Sequence, residues 1–269
     1  LVWVLGKGRK ALGRPHPGLS WYVAALGCLI LALVVIGVGL VWPPAYRLAR
    51  LAHLHLNTLG FIGLSALGTL HVLMPTALGR PDPLAATRLT RQLPWMLAGI
   101  AGAALAGGLP WLGVPAAALI GGVVAATVAG WWQTHGWARL SGDGVSASLL
   151  VASLGLIGLC VAGAVHGLGV MSGRPAVAAF FAGFLLPLVT GALSQLLPVW
   201  RHPGPLTPAR TLLRDRLARH GRIRAVLFLA SGLLLLAGQG LGVAPAALGV
   251  ALFALPLLRG LLARPPGAG

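Results

Sequence analysis

Apolar residues run along this chain in long stretches, separated by short segments that hold most of the charges and prolines. A helix needs about 20 mostly apolar residues to cross the roughly 30 Å hydrocarbon core of a bilayer. The stretches lack the alternation of polar and apolar residues that marks a membrane β-strand. The pattern therefore predicts an all-α fold, a polytopic bundle of about eight transmembrane helices. They fall near 20–42, 51–74, 94–111, 113–138, 146–171, 176–200, 223–241 and 243–263.

Composition supports a membrane protein over a soluble one. The 269 residues are 57% hydrophobic and 9% charged, whereas a soluble domain carries about 25% charge. We treat 1–269 as a single transmembrane domain. Leu1 to Leu5 resembles the tail of an apolar segment, which predicts a missing upstream helix. A signal peptide is a poor alternative because the first charges follow these apolar residues instead of preceding them.

Lysine and arginine predict the orientation, because cytoplasmic loops are enriched in them. With both termini in the cytoplasm, the inner loops hold 17 of the 20 basic residues, and only Arg47, Arg50 and Arg174 lie outside. The net charge of +17 is spread over short loops beside membrane helices. This placement favours attraction to anionic lipid and argues against nucleic-acid binding. In the longest inner loop, Thr207 and Pro208 predict the N-cap and first turn of an interfacial helix.

Two passages predict an internal repeat. GTLHVLMPTA at 68–77 and GALSQLLPVW at 191–200 both run from Gly through a small residue, Leu and a polar residue to Pro. Both end helices that enter from the outside, so a parallel repeat of four plus four helices, 20–138 and 146–263, is one interpretation. Chance recurrence of Gly and Pro near helix ends is the other.

Histidine is the main candidate for chemistry. His53 and His55 lie in the outer third of the second predicted span, and His166 lies near the outer end of the fifth. Because helical positions two apart are separated by about 200°, His53 and His55 point in nearly opposite directions. Three imidazoles at one depth predict axial ligation of b-type haem between two helices. A lone membrane histidine that bonds a carbonyl is the alternative interpretation.

The surroundings of these histidines agree with a haem. Glycines would let a porphyrin lie close to the helices: Gly60 and Gly63 follow the histidine pair, and Gly163, Gly167 and Gly169 surround His166. Arg47 and Arg50, one turn before His53, are candidates for propionate contacts at the outer surface. Ordinary interfacial snorkelling accounts for the two arginines equally well.

A second candidate site lies at the inner side. His71 and His135 close the second and fourth spans, and Gln195 lies near an inner helix end. Imidazoles there would suit a transition metal, or the three side chains would simply satisfy each other. Cys28 and Cys160 lie inside predicted helices and are expected to behave as small hydrophobes.

The segment AHLHLNTLGFIGLSALGTLHVLMPTALGRP resembles the tenth helix of subunit I in haem-copper oxidases, above all in the cbb-type and nitric-oxide-reductase branches. There a His-x-His pair precedes a Gly-rich helix that ends in Leu-x-Pro. The segment is also similar to the NnrS family, in its Gly60-Phe61, Pro75 and Gly79-Arg80-Pro81, and to the membrane portions of some membrane-anchored copper oxidases and nitrite reductases. The resemblance implies that His53 binds an active-site haem and His55 a low-spin haem.

The chain lacks the residues that form the copper site and carry protons in the oxidases. It has no His-His dipeptide and no His-x-x-x-Tyr for a copper site beside haem, and it contains no Glu. Asp82, Asp143 and Asp215 all fall in predicted inner loops. A proton-pumping oxidase needs ionisable carriers inside the membrane, so this activity is not expected of the chain alone.

Two function classes follow. The first is a haem b protein of a bacterial-type inner membrane, acting in electron transfer or nitric oxide metabolism. It would have a redox partner or copper-protein domain on the outer side, and copper is a possible second cofactor. The second is a cofactor-free transporter or membrane anchor.

Overall fold

The computed structural model describes residues 16–262, and every element in that range is helical, which confirms the predicted all-α fold. The predicted upstream segment and the first basic residues lie outside the described range. The helices, in chain order, are α1 (Gly18–Val41), α2 (Pro43–Ala77), α3 (Ala85–Leu105), α4 (Pro110–His135), α5 (Trp137–Gly142), α6 (Gly144–Gly167), α7 (Ala176–Arg201), α8 (Pro208–Ala218), α9 (Gly221–Leu236) and α10 (Val243–Leu262).

Six of these helices, α1, α2, α4, α6, α7 and α10, are long and apolar enough to cross a membrane. The predicted spans 94–111 and 223–241 fall on α3 and α9. The first of these begins at Ala85 and takes in Arg88 and Arg91, while α9 has only 16 residues. Six of the eight predicted spans thus correspond to candidate membrane-spanning helices. The other two correspond to α3 and α9, and the count of eight stays a prediction.

Helix ends follow local backbone chemistry. Gly136 between α4 and α5 and Gly238 after α9 both have a φ of 77°, a conformation that only glycine adopts without strain. The side chain of Thr207 accepts a hydrogen bond from the amide of Arg210, with Pro208 in the first turn of α8. The predicted N-cap is confirmed.

The described chain forms two compact units. The first contains residues 16–75, Pro81–Thr127 and Cys160–Gly173, and the second contains Thr76–Arg80, Val128–Leu159 and 174–262. The helices α4 and α6 therefore contribute residues to both units.

The first unit packs α1, α2 and α3 around a buried tryptophan. Trp21 is fully buried, and its Nε1 donates to the carbonyl of Leu89 at 2.9 Å. A Cβ at Gly68 would lie 2.9 Å from the Cβ of Trp21, and one at Gly60 would lie 2.7 Å from the Cβ of Cys28. Glycine thus lets α1 and α2 approach closely, as small residues do in membrane bundles.

The second unit packs α6, α7 and α9 through glycines. A Cβ added to Gly155 would overlap the carbonyl oxygen of Gly183, and one added to Gly232 would lie 2.6 Å from the Cα of Gly183. Backbone therefore meets backbone where these three helices cross. Van der Waals contact at such crossings replaces the hydrophobic driving force, which is absent between helices in lipid.

Two of the long helices contain a π-helical segment. In α2 it covers Leu56–Gly63 and begins directly after His55. In α7 it covers Phe181–Leu185. Such segments are rare in proteins, and those that occur often lie at functional sites. The segment in α2 therefore makes His53 and His55 candidates for a functional role.

Candidate functional site

The predicted haem ligands His53, His55 and His166 all belong to the first unit. The helix α2 presents its two histidines to different neighbours, as their angular separation requires. His53 contacts α1. His55 lies on α2 and His166 at the end of α6, both within the first unit.

The imidazole of His53 is engaged at both nitrogens. Its Nδ1 donates to the carbonyl of Ala32 at 2.9 Å, and its Nε2 accepts from the amide of Asn57 at 3.1 Å. Asn57 also donates to the carbonyl of His53 at 2.9 Å. These bonds describe a neutral imidazole that ties α1 to α2, which matches the alternative interpretation of a membrane histidine that bonds a carbonyl.

His55 has a different environment. Its Nδ1 is buried and makes no hydrogen bond of ordinary geometry among the described residues, although the backbone of Leu51, one turn earlier, lies close to the ring. A buried nitrogen left in this way costs about 1–3 kcal/mol. A ligand or metal centre that meets this imidazole nitrogen would relieve that cost.

His166 is held by the turn that follows α6. Its Nδ1 donates to the carbonyl of Met171 at 2.7 Å, and Gly169 reverses the chain with a φ of 76°. A donor bond at Nδ1 fixes the tautomer and leaves the lone pair on Nε2, as in many metal-binding histidines. A Cβ at Gly173 would lie 3.0 Å from that Nε2, so the backbone of Gly173 packs closely against this edge of the ring and a larger residue would crowd it.

Two of the glycines expected to make room for a porphyrin have another role. Gly60 packs against the side chain of Cys28, and a Cβ at Gly167 would lie 3.3 Å from the backbone nitrogen of Val114. Both positions therefore serve helix packing. Gly163 is looser, with its virtual Cβ 3.9 Å from Ala117.

The predicted propionate partners Arg47 and Arg50 are exposed on the first turns of α2. Arg50 precedes His53 by three residues, so the two lie on the same side of the helix. An exposed guanidinium at this end of α2 is available to an anionic group or to the lipid surface.

His71 forms a satisfied polar cluster in the first unit. Its Nδ1 bonds the carbonyl of Leu67 at 2.8 Å, and its Nε2 lies 3.0 Å from the side-chain oxygen of Gln92. The hydroxyl of Thr127 also lies 3.0 Å from that oxygen and donates to the carbonyl of Val123. A neutral imidazole has one N–H, so His71 cannot donate both to the carbonyl of Leu67 and to the oxygen of Gln92. The single hydroxyl proton of Thr127 likewise cannot be donated both to Gln92 and to the carbonyl of Val123. Exchanging the amide nitrogen and oxygen of Gln92 satisfies every group, with His71 neutral.

The predicted site of His71, His135 and Gln195 draws on side chains from both units. In the first unit, His71 pairs with Gln92. In the second unit, Gln195 accepts a hydrogen bond from Nε of Arg214 at 3.0 Å. His135 is buried at the end of α4. Among residues 16–262, no three His, Cys, Asp or Glu side chains are grouped to hold a metal ion. A haem with two histidine ligands needs no such group.

Sequence reasoning missed the buried Arg224 in the second unit. Its guanidinium donates to the carbonyl of Leu217 at 3.0 Å and to the hydroxyl of Ser194 at 3.3 Å, and it lies 5.0 Å from the centre of the Phe253 ring. Its Nε has no partner in the described part of the chain. The sequence analysis assigned Arg224 to a loop. Its spacing of four residues from Phe228 places both on one helix face, and this spacing could have predicted that Arg224 is buried.

Six long apolar helices and a polar interior of histidine, amide and hydroxyl groups define a multi-pass helical membrane protein. No protein-family model, curated protein or solved structure matches the chain.

Proposed function

We propose that the first unit binds one b-type haem between α2 and α6, with His55 and His166 as axial ligands. The observations that carry this proposal are that His55 and His166 lie on different helices of the same unit and that the buried Nδ1 of His55 makes no hydrogen bond to any described residue. The fixed Nδ1 of His166 supports it. Bis-histidine ligation from two helices of a bundle is a common way to hold haem.

The other predicted residues take supporting roles. His53 ties α2 to α1 through its bond to Ala32, and its bond to Asn57 holds the ring in place; it does not ligate the haem. Arg47 and Arg50 would neutralise the propionates at the outer end of α2. Copper stays part of the proposal as a second cofactor without an assigned site.

A bound haem would supply one-electron chemistry, and the chain would orient it and exclude water from it. We place this activity in electron transfer or nitric oxide metabolism, in a bacterial-type inner membrane. The resemblance of 52–81 to haem-copper oxidase subunit I and to NnrS supports this assignment. A redox partner or a copper-protein domain would meet the outer side.

We further propose eight spans, counting α3 and α9, with both termini in the cytoplasm and two repeats of four helices. Equivalent glycine contacts in α2 and α7 support the repeat. The excess of basic residues in alternate loops supports the orientation.

The test is an optical spectrum of protein purified from cells supplied with a haem precursor. We expect a Soret band that shifts on dithionite reduction and a pyridine haemochrome of b type. His55→Ala and His166→Ala should each remove the low-spin spectrum, and His53→Ala, the matched control, should keep it. A haem-free wild-type preparation would overturn the proposal and favour the cofactor-free transporter or anchor.

A further inference from the structure

The second unit contains a half-open cavity of about 360 Å³ where α7 and α8 meet residues 76–79. This volume is within the range of small-molecule pockets, roughly 300–1,000 Å³. Its polar lining comes from Gln195, Arg210, Thr211 and Arg214, and Leu206 and Val199 are among the apolar lining residues.

Arg214 is a fixed donor at this cavity. Its Nε donates to Gln195 at 3.0 Å, and its Nη2 donates to the carbonyl of Ala77 at 3.2 Å and to Asp143 at 3.0 Å. Three bonds hold the guanidinium in place before any ligand arrives. Such preorganisation lowers the entropic cost of binding.

Arg210 supplies the uncompensated charge. Its Nη1 donates to the carbonyl of Gly204 at 3.2 Å, and it forms no ion pair with any described residue. Arg214 is already paired with Asp143 and lies 3.9 Å from Asp215. The cavity therefore offers one net positive charge beside a second, fixed guanidinium.

A single net charge favours a monoanion over a dianion. Guanidinium groups bind phosphate oxygens with charge-assisted hydrogen bonds. A phosphodiester has one negative charge, and a glycerophospholipid attaches apolar chains to it. Leu206, 76% exposed at the rim, and Val199 would contact the glycerol and the start of those chains.

We propose that this cavity binds the phosphodiester headgroup of an anionic phospholipid, with Arg210 and Arg214 as the phosphate ligands. The site holds one lipid in a defined position, which differs from the diffuse attraction of basic loops for a charged membrane surface. It does not depend on haem binding by the first unit.

The test is native mass spectrometry of the purified full chain with phosphatidylglycerol or phosphatidylcholine of the same acyl length. The variant is Arg210→Gln, and the matched control is Arg216→Gln, which removes the same charge from an exposed position on α8 outside the cavity. We expect Arg210→Gln to weaken phosphatidylglycerol binding about tenfold, the effect of one charge-assisted hydrogen bond. Arg216→Gln should retain wild-type binding, and phosphatidylcholine should bind weakly to all three proteins.

Equal loss in the two variants would mean that only surface charge attracts the lipid, and the proposal would be wrong. Inorganic phosphate is added in a separate arm. Stabilisation of wild type, but not of Arg210→Gln, by phosphate without a preference for phosphatidylglycerol would assign the site to free phosphate and overturn the lipid assignment. If Arg210→Gln does not fold, Arg210→Lys and Arg216→Lys replace the pair, and equal lipid binding by these two would contradict the proposal.

Discussion

The long helices α2 and α7 share a framework and differ in chemistry. A shift of 123 residues, from Gly68 to Gly191, superimposes their shared sequence features. The pairs that match are Gly60 with Gly183, Phe61 with Phe184, Gly68 with Gly191, Leu70 with Leu193 and Pro75 with Pro198. Both helices carry their π-helical segment around the matched Gly-Phe dipeptide.

The same shift matches the packing. Gly60 meets Cys28 of α1, and Gly183 meets Gly155 of α6. About two turns further on, Gly68 meets Trp21, whereas Gly191 meets Ser148. Each unit thus brings a long helix against its predecessor through two glycines.

The polar pairs match as well. His71 bonds Gln92 of α3 in the first unit, and its counterpart Ser194 bonds Arg224 of α9 in the second. The imidazole–amide cluster is neutral and satisfied, while the arginine keeps one unsatisfied nitrogen.

The histidine pair has no counterpart. Where α2 has His53 and His55, α7 has Ala176 and Ala178, and Asn57 is replaced by Phe180. The π-helical segment is common to both helices, so it belongs to the framework and is no evidence of a cofactor by itself. The candidate chemistry therefore rests on side chains that only the first unit carries.

The largest effect is expected from Gly155→Ala, which tests the tighter of the two glycine contacts. The new methyl group would overlap the backbone of Gly183, which cannot move as a side chain can. We expect a loss of about 3 kcal/mol or more of unfolding free energy, measured by thermal unfolding in detergent. Gly158→Ala is the control, because its Cβ meets nothing within 4 Å; equal melting temperatures for the two variants would refute the close contact.

The next effect concerns the polar pair of the first unit. Gln92→Leu would leave Nε2 of the buried His71 without its partner, at a cost of about 1–3 kcal/mol. The double variant Gln92→Leu, His71→Leu removes both groups and should recover most of that loss. Additive losses in this double-mutant cycle would show that the two side chains do not interact.

The smallest effect concerns α8, which lies between α7 and α9; the described segment between α2 and α3, residues 78–84, contains no helix. Thr207→Ala removes the N-cap and should cost about 1 kcal/mol of local helix stability. Hydrogen exchange at the amide of Arg210, which Thr207 caps, should become faster. Thr207→Ser keeps the hydroxyl and should exchange like wild type; unchanged protection in Thr207→Ala would exclude a capping role.

Apolar run length was enough to predict the helical membrane fold, because the bilayer imposes a minimum span. Local capping chemistry at Thr207 was also readable. The extents of α3 and α9 were not, since helices continue into polar segments when tertiary contacts hold them. Leu89 in the polar start of α3 is held in this way by the indole of Trp21.

The sequence located the histidines but not their partners. Helical geometry separated His53 from His55, yet only the structure shows that His53 bonds Ala32 of α1. Contacts between helices distant in sequence, such as His71 with Gln92, depend on packing that no local pattern records. For the same reason, Gly60 was expected to admit a porphyrin and instead admits Cys28.

The central claim is that His55 and His166 share an iron in the first unit. Electron paramagnetic resonance of the oxidised protein at low temperature tests it most directly. We expect a low-spin ferric signal in wild type and in His53→Ala. In His55→Ala and His166→Ala we expect that signal to be lost or converted to high spin. A low-spin signal that persists in both His55→Ala and His166→Ala would contradict it.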